Sequence, residues 1–254
     1  QPHNLAPIRA IAARMPAMPQ VACFDTAFHH DQPPVAQAFA LPPEITGQGV
    51  RRYGFHGLSY EYVAGAMRNL DMRAAAGRVV VAHLGNGASM SAICGGQPVD
   101  TSMGMTPLEG LVMGTRGGDI DPGLLFHLHR VVGMSVDEID FLLNKRSGMK
   151  GLCGENDFRA VTAMIDAGDA DAREAYDIYI HRLRGYFGAY LVELGRTDII
   201  SFTAGVGENA AGVRADSLAR LAGFGIEIDP DRNAVRGSQP RIISTDGSAT
   251  TVLV

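Results

Sequence analysis

The sequence contains no tryptophan, only three cysteines and a charged fraction of 19%, below the roughly 25% of ordinary globular domains. Cys23, Cys94 and Cys153 are odd in number and scattered. That spacing excludes a disulfide framework and a thiolate metal cage, and the thiols read as reduced ones of a cytoplasmic protein. Basic residues are outnumbered, 22 against 27 Asp and Glu, for a formal charge of -5 and a pI near 5.9. No basic face long enough to neutralise a run of phosphates is present, so nucleic acid is excluded as a partner. No apolar run approaches the roughly 20 residues of a membrane span, so no membrane partner is expected. What is abundant is glycine, 31 residues, beside a hydrophobic fraction of 46%. Such a chain is core-rich, neither disordered nor fibrous, and long enough for one large domain or two small ones.

The pattern along the chain predicts an α/β order. Residues 20–24 form a short apolar run read as a strand ending at Asp25, and the proline- and glycine-rich residues 31–49 read as a loop with little regular structure. Helical spacing marks residues 59–71, with Tyr62, Val63, Ala66, Met67 and Leu70 on one stripe and Ser59 as the N-cap. Residues 78–84, 88–94 and 97–101 read as three strands of an antiparallel meander, turned at Gly85-Asn86-Gly87 and at Gly95-Gly96. Helices are predicted at 122–132, at 135–144 with a Ser135/Glu138 capping box, at 157–167 and at 170–194. A strand at 198–203, a glycine turn at 205–209 and a helix at 211–222 follow. The chain opens at Gln1 and ends on the apolar run 250–254, which together predict a fragment cut at both ends.

Two glycine turns carry the first chemical signal. Residues 83–89 (His83, Leu84, Gly85, Asn86, Gly87, Ala88, Ser89) place small residues at a strand end. Backbone N–H groups there suit phosphate oxygens, and a plain hairpin fits equally. Residues 203–209 include Gly205, Val206, Gly207, Glu208 and Asn209 between a strand and a helix, where a helix N-terminus faces an anion. No Walker lysine follows. Asp157, Phe158 and Arg159 offer a flat apolar face and a cation for a base, or a helix cap with ordinary surface charge. Arg116, among glycines, suits a phosphoryl oxygen, or pairs with Asp119 or Asp121. Asp25 and His56 are further candidates, each also readable as a structural residue.

These segments together resemble the acetate kinase (acetokinase) family. The resemblance rests on residues 24–29 (FDTAFH), 51–57 (RRYGFHG), 83–89, 100–116 and 202–209, in the family's order and spacing. It implies an actin-like ATPase (ribonuclease-H-type) domain, a mixed sheet with a three-stranded antiparallel meander and flanking helices. It implies that residues 1–254 are most of a C-terminal domain whose N-terminal lobe is not in this chain. It further implies phosphoryl transfer from ATP to acetate, giving acetyl phosphate and ADP with Mg2+, in a cytoplasmic homodimer. Carried over by position, Asp25, His56 and Arg116 match the catalytic set. His83, Leu84, Gly85, Asn86, Gly87, Asp157, Phe158, Arg159, Gly205, Val206, Gly207, Glu208 and Asn209 match nucleotide-contacting segments. Phe55 and Pro107 match the lining of the pocket for the small carboxylic acid. No residue of the chain is assigned as a metal ligand.

The chain departs from the family's pattern at Leu58 (usually Thr), Tyr60 (usually His) and Gly117 (usually Ser). Two further readings stand beside acetate: a propionate or butyrate kinase of the same fold, and a non-catalytic nucleotide-binding dimerisation fragment, with the long helix at 170–194 supplying spare apolar surface.

Overall fold

The computed structural model describes residues 2–254, with side chains from Asn4 onward. The chain opens with helix α1 (Pro2–Arg14) and passes through two single-turn helices, α2 (Pro34–Gln37) and α3 (Pro43–Thr46), to α4 (Gly57–Ala66). The meander follows as β1 (Arg78–Leu84), β2 (Ala88–Cys94) and β3 (Gln97–Thr101). Helices α5 (Gly123–Arg130), α6 (Val136–Lys145), α7 (Gly148–Cys153), α8 (Phe158–Asp166) and α9 (Ala170–Leu194) lead to strand β4 (Ile199–Thr203). Helices α10 (Ala204–Asn209), α11 (Ala211–Leu218) and α12 (Pro230–Ala234) then precede β5 (Thr251–Leu253).

The five strands form one mixed sheet in the order β3-β2-β1-β4-β5. β1 pairs antiparallel with β2, and β2 with β3, whereas β1–β4 and β4–β5 are parallel. This is the sheet of the ribonuclease-H-type, actin-like fold. β1 lies at its centre because Val79, Val80, Val81, Ala82 and Leu84 leave almost nothing to water. Alternation sorts them: Val80, Ala82 and Leu84 pack with α9 residues such as Phe187 and Tyr190, while Val79 and Val81 pack with Tyr60 and Ala64 of α4. Each fully buried Val or Leu contributes roughly 1.5–3 kcal/mol, so the central strand is the firmest platform for a site at its end.

Helix termini follow local chemistry. The Ser135/Glu138 capping box forms at α6, and Asp169 caps α9 by accepting from Ala172 N at 2.9 Å. The predicted stripe of α9, from Tyr176 to Phe187, is buried. That stripe spends its apolar surface inside the domain, leaving Ile178 and Val192, 37% and 81% exposed, as the large apolar side chains this helix offers to solvent. Exposed apolar side chains gather instead on α5, α6 and their connection, among them Phe126, Val131, Val136 and Phe141.

Other local expectations need correction. Residues 20–24 are not a strand: Val21 is 87% exposed and finds no ladder partner. The buried face of α4 is Gly57, Tyr60 and Ala64, while Tyr62 points to solvent; the helix begins at Gly57, two residues before the predicted Ser59 cap, and ends at Ala66, short of the predicted 71. The glycine segment 205–209 is helical, as α10, and not a turn. α11 stops at Leu218, short of the predicted 222. Helix α1 and the short α7 had no periodic signal and were not expected.

Candidate active site

His56 and His83 lie at the carboxyl-terminal side of β1 with their rings stacked, centroids 4.1 Å apart. His83 is part of β1 itself, and His56 is the residue before α4. His56 has φ +58°, a left-handed backbone that costs strain in a non-glycine residue. Asp25 holds that conformation: its Oδ2 accepts from His56 N at 2.8 Å, and its carbonyl accepts from Gly57 N at 2.8 Å. A Cβ on Gly57 would collide with that carbonyl, so glycine is required there. Asp25 and His56 are therefore joined, as the sequence motifs suggested.

Arg116 joins them from the glycine-rich loop after β3. Its Nη1 donates to Pro107 O at 3.1 Å and sits near Met113 Sδ, and no carboxylate pairs with it among the described residues. The ion pair with Asp119 is absent because Asp119 is engaged elsewhere, by Gly110 N and by Tyr186 OH at 2.7 Å. Burial lowers the guanidinium's pKa from its ordinary value, yet arginine stays charged in proteins. The cation thus faces the site without an internal counter-charge. Both Arg116 Nη1 and His56 Nε2 border Gly87, where an added Cβ would lie 3.3 Å from the first and 3.6 Å from the second.

Electrostatics separate the two. Burial, then His83, then Arg116 push the His56 imidazole down to about 4. The His83 ring is also lowered, mainly by burial. Near neutral pH the His56 ring is uncharged and Arg116 carries the positive charge.

Beside this cluster runs a cavity of about 1170 Å3, larger than the roughly 300–1,000 Å3 of common small-molecule sites. Gly85, Asn86, Asp157, Phe158, Arg159, Gly205, Val206, Glu208 and Asn209 all line it. The parallel β1–β4 pairing brings two of these segments together: His83 lies opposite Thr203, and a Cβ on Gly85 would come within 3.8 Å of Ala204 Cβ. The third segment is tied in by Asn156, whose Nδ2 donates to Asn86 Oδ1 at 2.8 Å. Gly114 N also donates to Asn86 O at 2.9 Å. Leu84 and Gly207 are buried, and Gly87 faces Arg116 and His56.

Two details differ from the sequence reading. Asp157 caps α8 and pairs with Arg159 at 2.5 Å, while Phe158 is buried edge-on to Tyr179, centroids 4.8 Å apart. The cap description therefore holds, and Phe158 packs into the core while it also lines the cavity. At α10, Glu208 Oε1 already accepts from Ala204 N at 3.1 Å, so the helix carries its own carboxylate at its N-terminus. Phe55 is half-buried and its carbonyl accepts from His29 Nε2 at 3.0 Å; Pro107 meets Arg116 through its carbonyl. Among the described residues no group of three or more His, Cys, Asp or Glu is able to hold a metal ion.

Sequence reasoning missed Asn156, Gly114, Ser89 as a hydrogen-bond partner of His56, and Arg214. Asn156 adjoins the Asp157 motif, and Ser89 was visible only as the end of the first turn. Arg214 carried no signal. It is fully buried under α10, donating to Gly207 O, Glu208 O and Asn233 Oδ1 and O at 2.7–2.9 Å. Of the departures, Leu58 is exposed and Gly117 has room for a side chain, with Ser147 Cβ 3.7 Å from an added Cβ. Tyr60 is wholly buried.

A sequence model of the acetokinase family matches residues 1–254. The chain is 55% identical over 255 residues to the acetate kinase of Corynebacterium efficiens, covering 100% of this chain and 64% of that protein. It is 55% identical to the acetate kinase of Streptomyces coelicolor, covering 63% of it. Its fold matches a crystal structure of Porphyromonas gingivalis acetate kinase with a TM-score of 0.94 at 40% identity, covering 99% of this chain and 64% of that one. A propionate kinase from Francisella tularensis matches with a TM-score of 0.93 at 40% identity, covering 99% and 65%. The chain thus spans less than two thirds of the length of these relatives.

Proposed function

The chain belongs to the acetokinase family, and from that premise we propose that it is most of the C-terminal domain of an acetate kinase, transferring a phosphoryl group reversibly from ATP to acetate. The observation that carries the reading is the convergence of Arg116 and His56 on Gly87 at the edge of the 1170 Å3 cavity.

The acceptor carboxylate is already ionised near neutral pH, since carboxyl pKa values lie near ~4. It attacks the γ-phosphorus without a general base, so positioning and charge neutralisation do most of the work. Arg116 bonds one equatorial oxygen as a fixed cation. His56, held neutral, donates from Nε2 to another. Asp25 does not abstract a proton; it fixes the His56 backbone through Oδ2. The nucleotide lies between Gly85–Asn86 and α10, with the base toward Asp157–Arg159. Phe55 and Pro107 line the acyl pocket.

Magnesium fits as a passenger of the phosphates. A cation that keeps most of its waters needs one or two carboxylates from the protein, and Asp25 Oδ1, which makes no hydrogen bond among the described residues, would hold one such water. When bound, the ion neutralises charge on the phosphate oxygens. Unpaired Cys23, Cys94 and Cys153 support a cytoplasmic setting. The exposed apolar residues of α5 and α6 support a homodimer, with this half supplying the contact.

Propionate is the second reading, favoured by the likeness to the Francisella tularensis enzyme. One methylene is worth only ~1–3 kcal/mol of discrimination. ATP-dependent acyl hydroxamate formation by the complete protein, run on acetate, propionate and butyrate in parallel, tests both. A rate highest with acetate supports the first reading, and a higher one with propionate moves the assignment. Silence with all three, while the 254-residue chain still binds ADP, would leave the non-catalytic nucleotide-binding reading.

A further inference from the structure

Three side chains behind the candidate centre make a continuous chain of hydrogen bonds. Tyr60 OH meets Ser89 Oγ, and Ser89 Oγ meets His56 Nδ1 at 2.8 Å. Tyr60 and Ser89 are both 0% exposed. Neither hydroxyl has another hydrogen-bond partner among the described residues, so each proton has few places to go. If Ser89 donated to Tyr60, the phenolic proton would be buried without an acceptor, a costly arrangement. Tyr60 therefore donates to Ser89. The serine proton, in turn, has one acceptor left, the Nδ1 lone pair of His56. With Nδ1 accepting, the neutral ring carries its proton on Nε2, the nitrogen that borders Gly87 and Arg116.

We propose that Ser89 and Tyr60 are positioning residues, a two-hydroxyl relay that holds His56 in the Nε2–H tautomer and so aims a hydrogen-bond donor into the site. Burial of Tyr60 reinforces the direction: its phenol is pushed well above its ordinary pKa and stays protonated. The stack on His83 keeps the ring plane, and the relay sets which nitrogen bears the proton. Tyr60 stands where the family's pattern usually has histidine, a residue that donates or accepts according to its own tautomer. A phenol donor removes that ambiguity.

The inference rests on the reading of His56 as a donor to a phosphoryl oxygen, and the test keeps the two apart. In the complete protein with 15N-labelled imidazoles, NMR near pH 7.5 reads the His56 tautomer directly. The relay predicts one form, Nε2–H, in the parent protein. In Ser89→Ala the two nitrogen signals move toward a mixture. The same variant loses about tenfold in kcat with the nucleotide KM changed less than twofold. Tyr60→Phe, which keeps the ring and its packing, gives a smaller shift and a loss of about threefold, because Ser89 keeps a donor but not its fixed direction. An Nδ1–H or averaged form in the parent overturns the relay, as does a Ser89→Ala protein whose His56 stays wholly Nε2–H. A fixed Nε2–H tautomer in a protein with no phosphoryl transfer to any carboxylate would support the relay and sink the functional reading instead.

Discussion

Gly87 stands so close to Arg116 that a methyl group on its Cα would lie 3.3 Å from Arg116 Nη1 and 3.6 Å from His56 Nε2. The space a side chain would fill is the space where the two donors converge. Its backbone does not need a left-handed φ, so alanine is tolerated by the fold and harmful only to what enters the site. Gly87→Ala is expected to lower kcat at least about tenfold with a melting temperature within about 2 °C of the parent. A large thermal shift with unchanged turnover would show the glycine to be structural.

Arg116 has no carboxylate partner among the described residues. Arg116→Ala is expected to reduce kcat on the order of 10³-fold while nucleotide affinity changes little. Steady-state kinetics beside ADP titration separate the two, and an equal loss in both refutes the assigned role.

Gly114 packs directly on Asn86, and a Cβ there would overlap the Asn86 Oδ1 that receives Asn156. Gly114→Ala breaks that clamp between the β1–β2 turn and the start of α8. About a tenfold weaker nucleotide affinity is expected, measured by calorimetric titration; unchanged affinity would remove this loop from the nucleotide site.

His29 is 1% exposed, its Nε2 donates to Phe55 O, and its Nδ1 accepts from Gln32 at 3.2 Å. Burial lowers its pKa from 6.5 to about 4, against a raising effect of Phe55 and Asp25. His56 is lowered to about 4 as well. The unfolded chain therefore binds more protons between these values, and stability falls as pH drops. For His29 the contribution is about 3 kcal/mol, complete above pH 6.5 and gone by pH 4. Urea midpoints at pH 7.5, 6 and 5 should decrease in that order; a flat or rising series contradicts the neutral buried rings.

Arg214 holds the last carbonyls of α10 from beneath. Arg214→Met strands buried acceptors, each worth about 1–3 kcal/mol, and Arg214→Lys is expected to recover little because a point charge cannot replace the planar fork. A urea midpoint unmoved in Arg214→Met would show that α10 stands without it.

Local chemistry made much of this molecule readable in one dimension. Alternation and the Asn-Gly turn specify the β1–β2–β3 meander residue by residue, and the Ser135/Glu138 box and the stripe of α9 specify two helices. The motifs around His56, Gly85, Arg116 and Gly205 mark most of the candidate site, because glycine and charge in a strand-end setting leave a local trace. What only the tertiary structure decided is pairwise and distant in sequence. The parallel β1–β4 register sets Gly85 beside Ala204, and Asn156 reaches Asn86 across 70 positions. Residues 20–24 look like a strand, yet no sheet edge is offered to them. Phe158 looks like a platform, and only the packed chain shows that its ring also meets Tyr179 of α9 edge-on. Whether Arg116 is paired or free turned on Tyr186 engaging Asp119, and the direction of the Tyr60–Ser89–His56 bonds turned on burial that leaves each proton one acceptor. Periodicity reports which face of an element is apolar; the partner a buried polar group finds is set by folding, since only the packed chain removes the water that would otherwise serve.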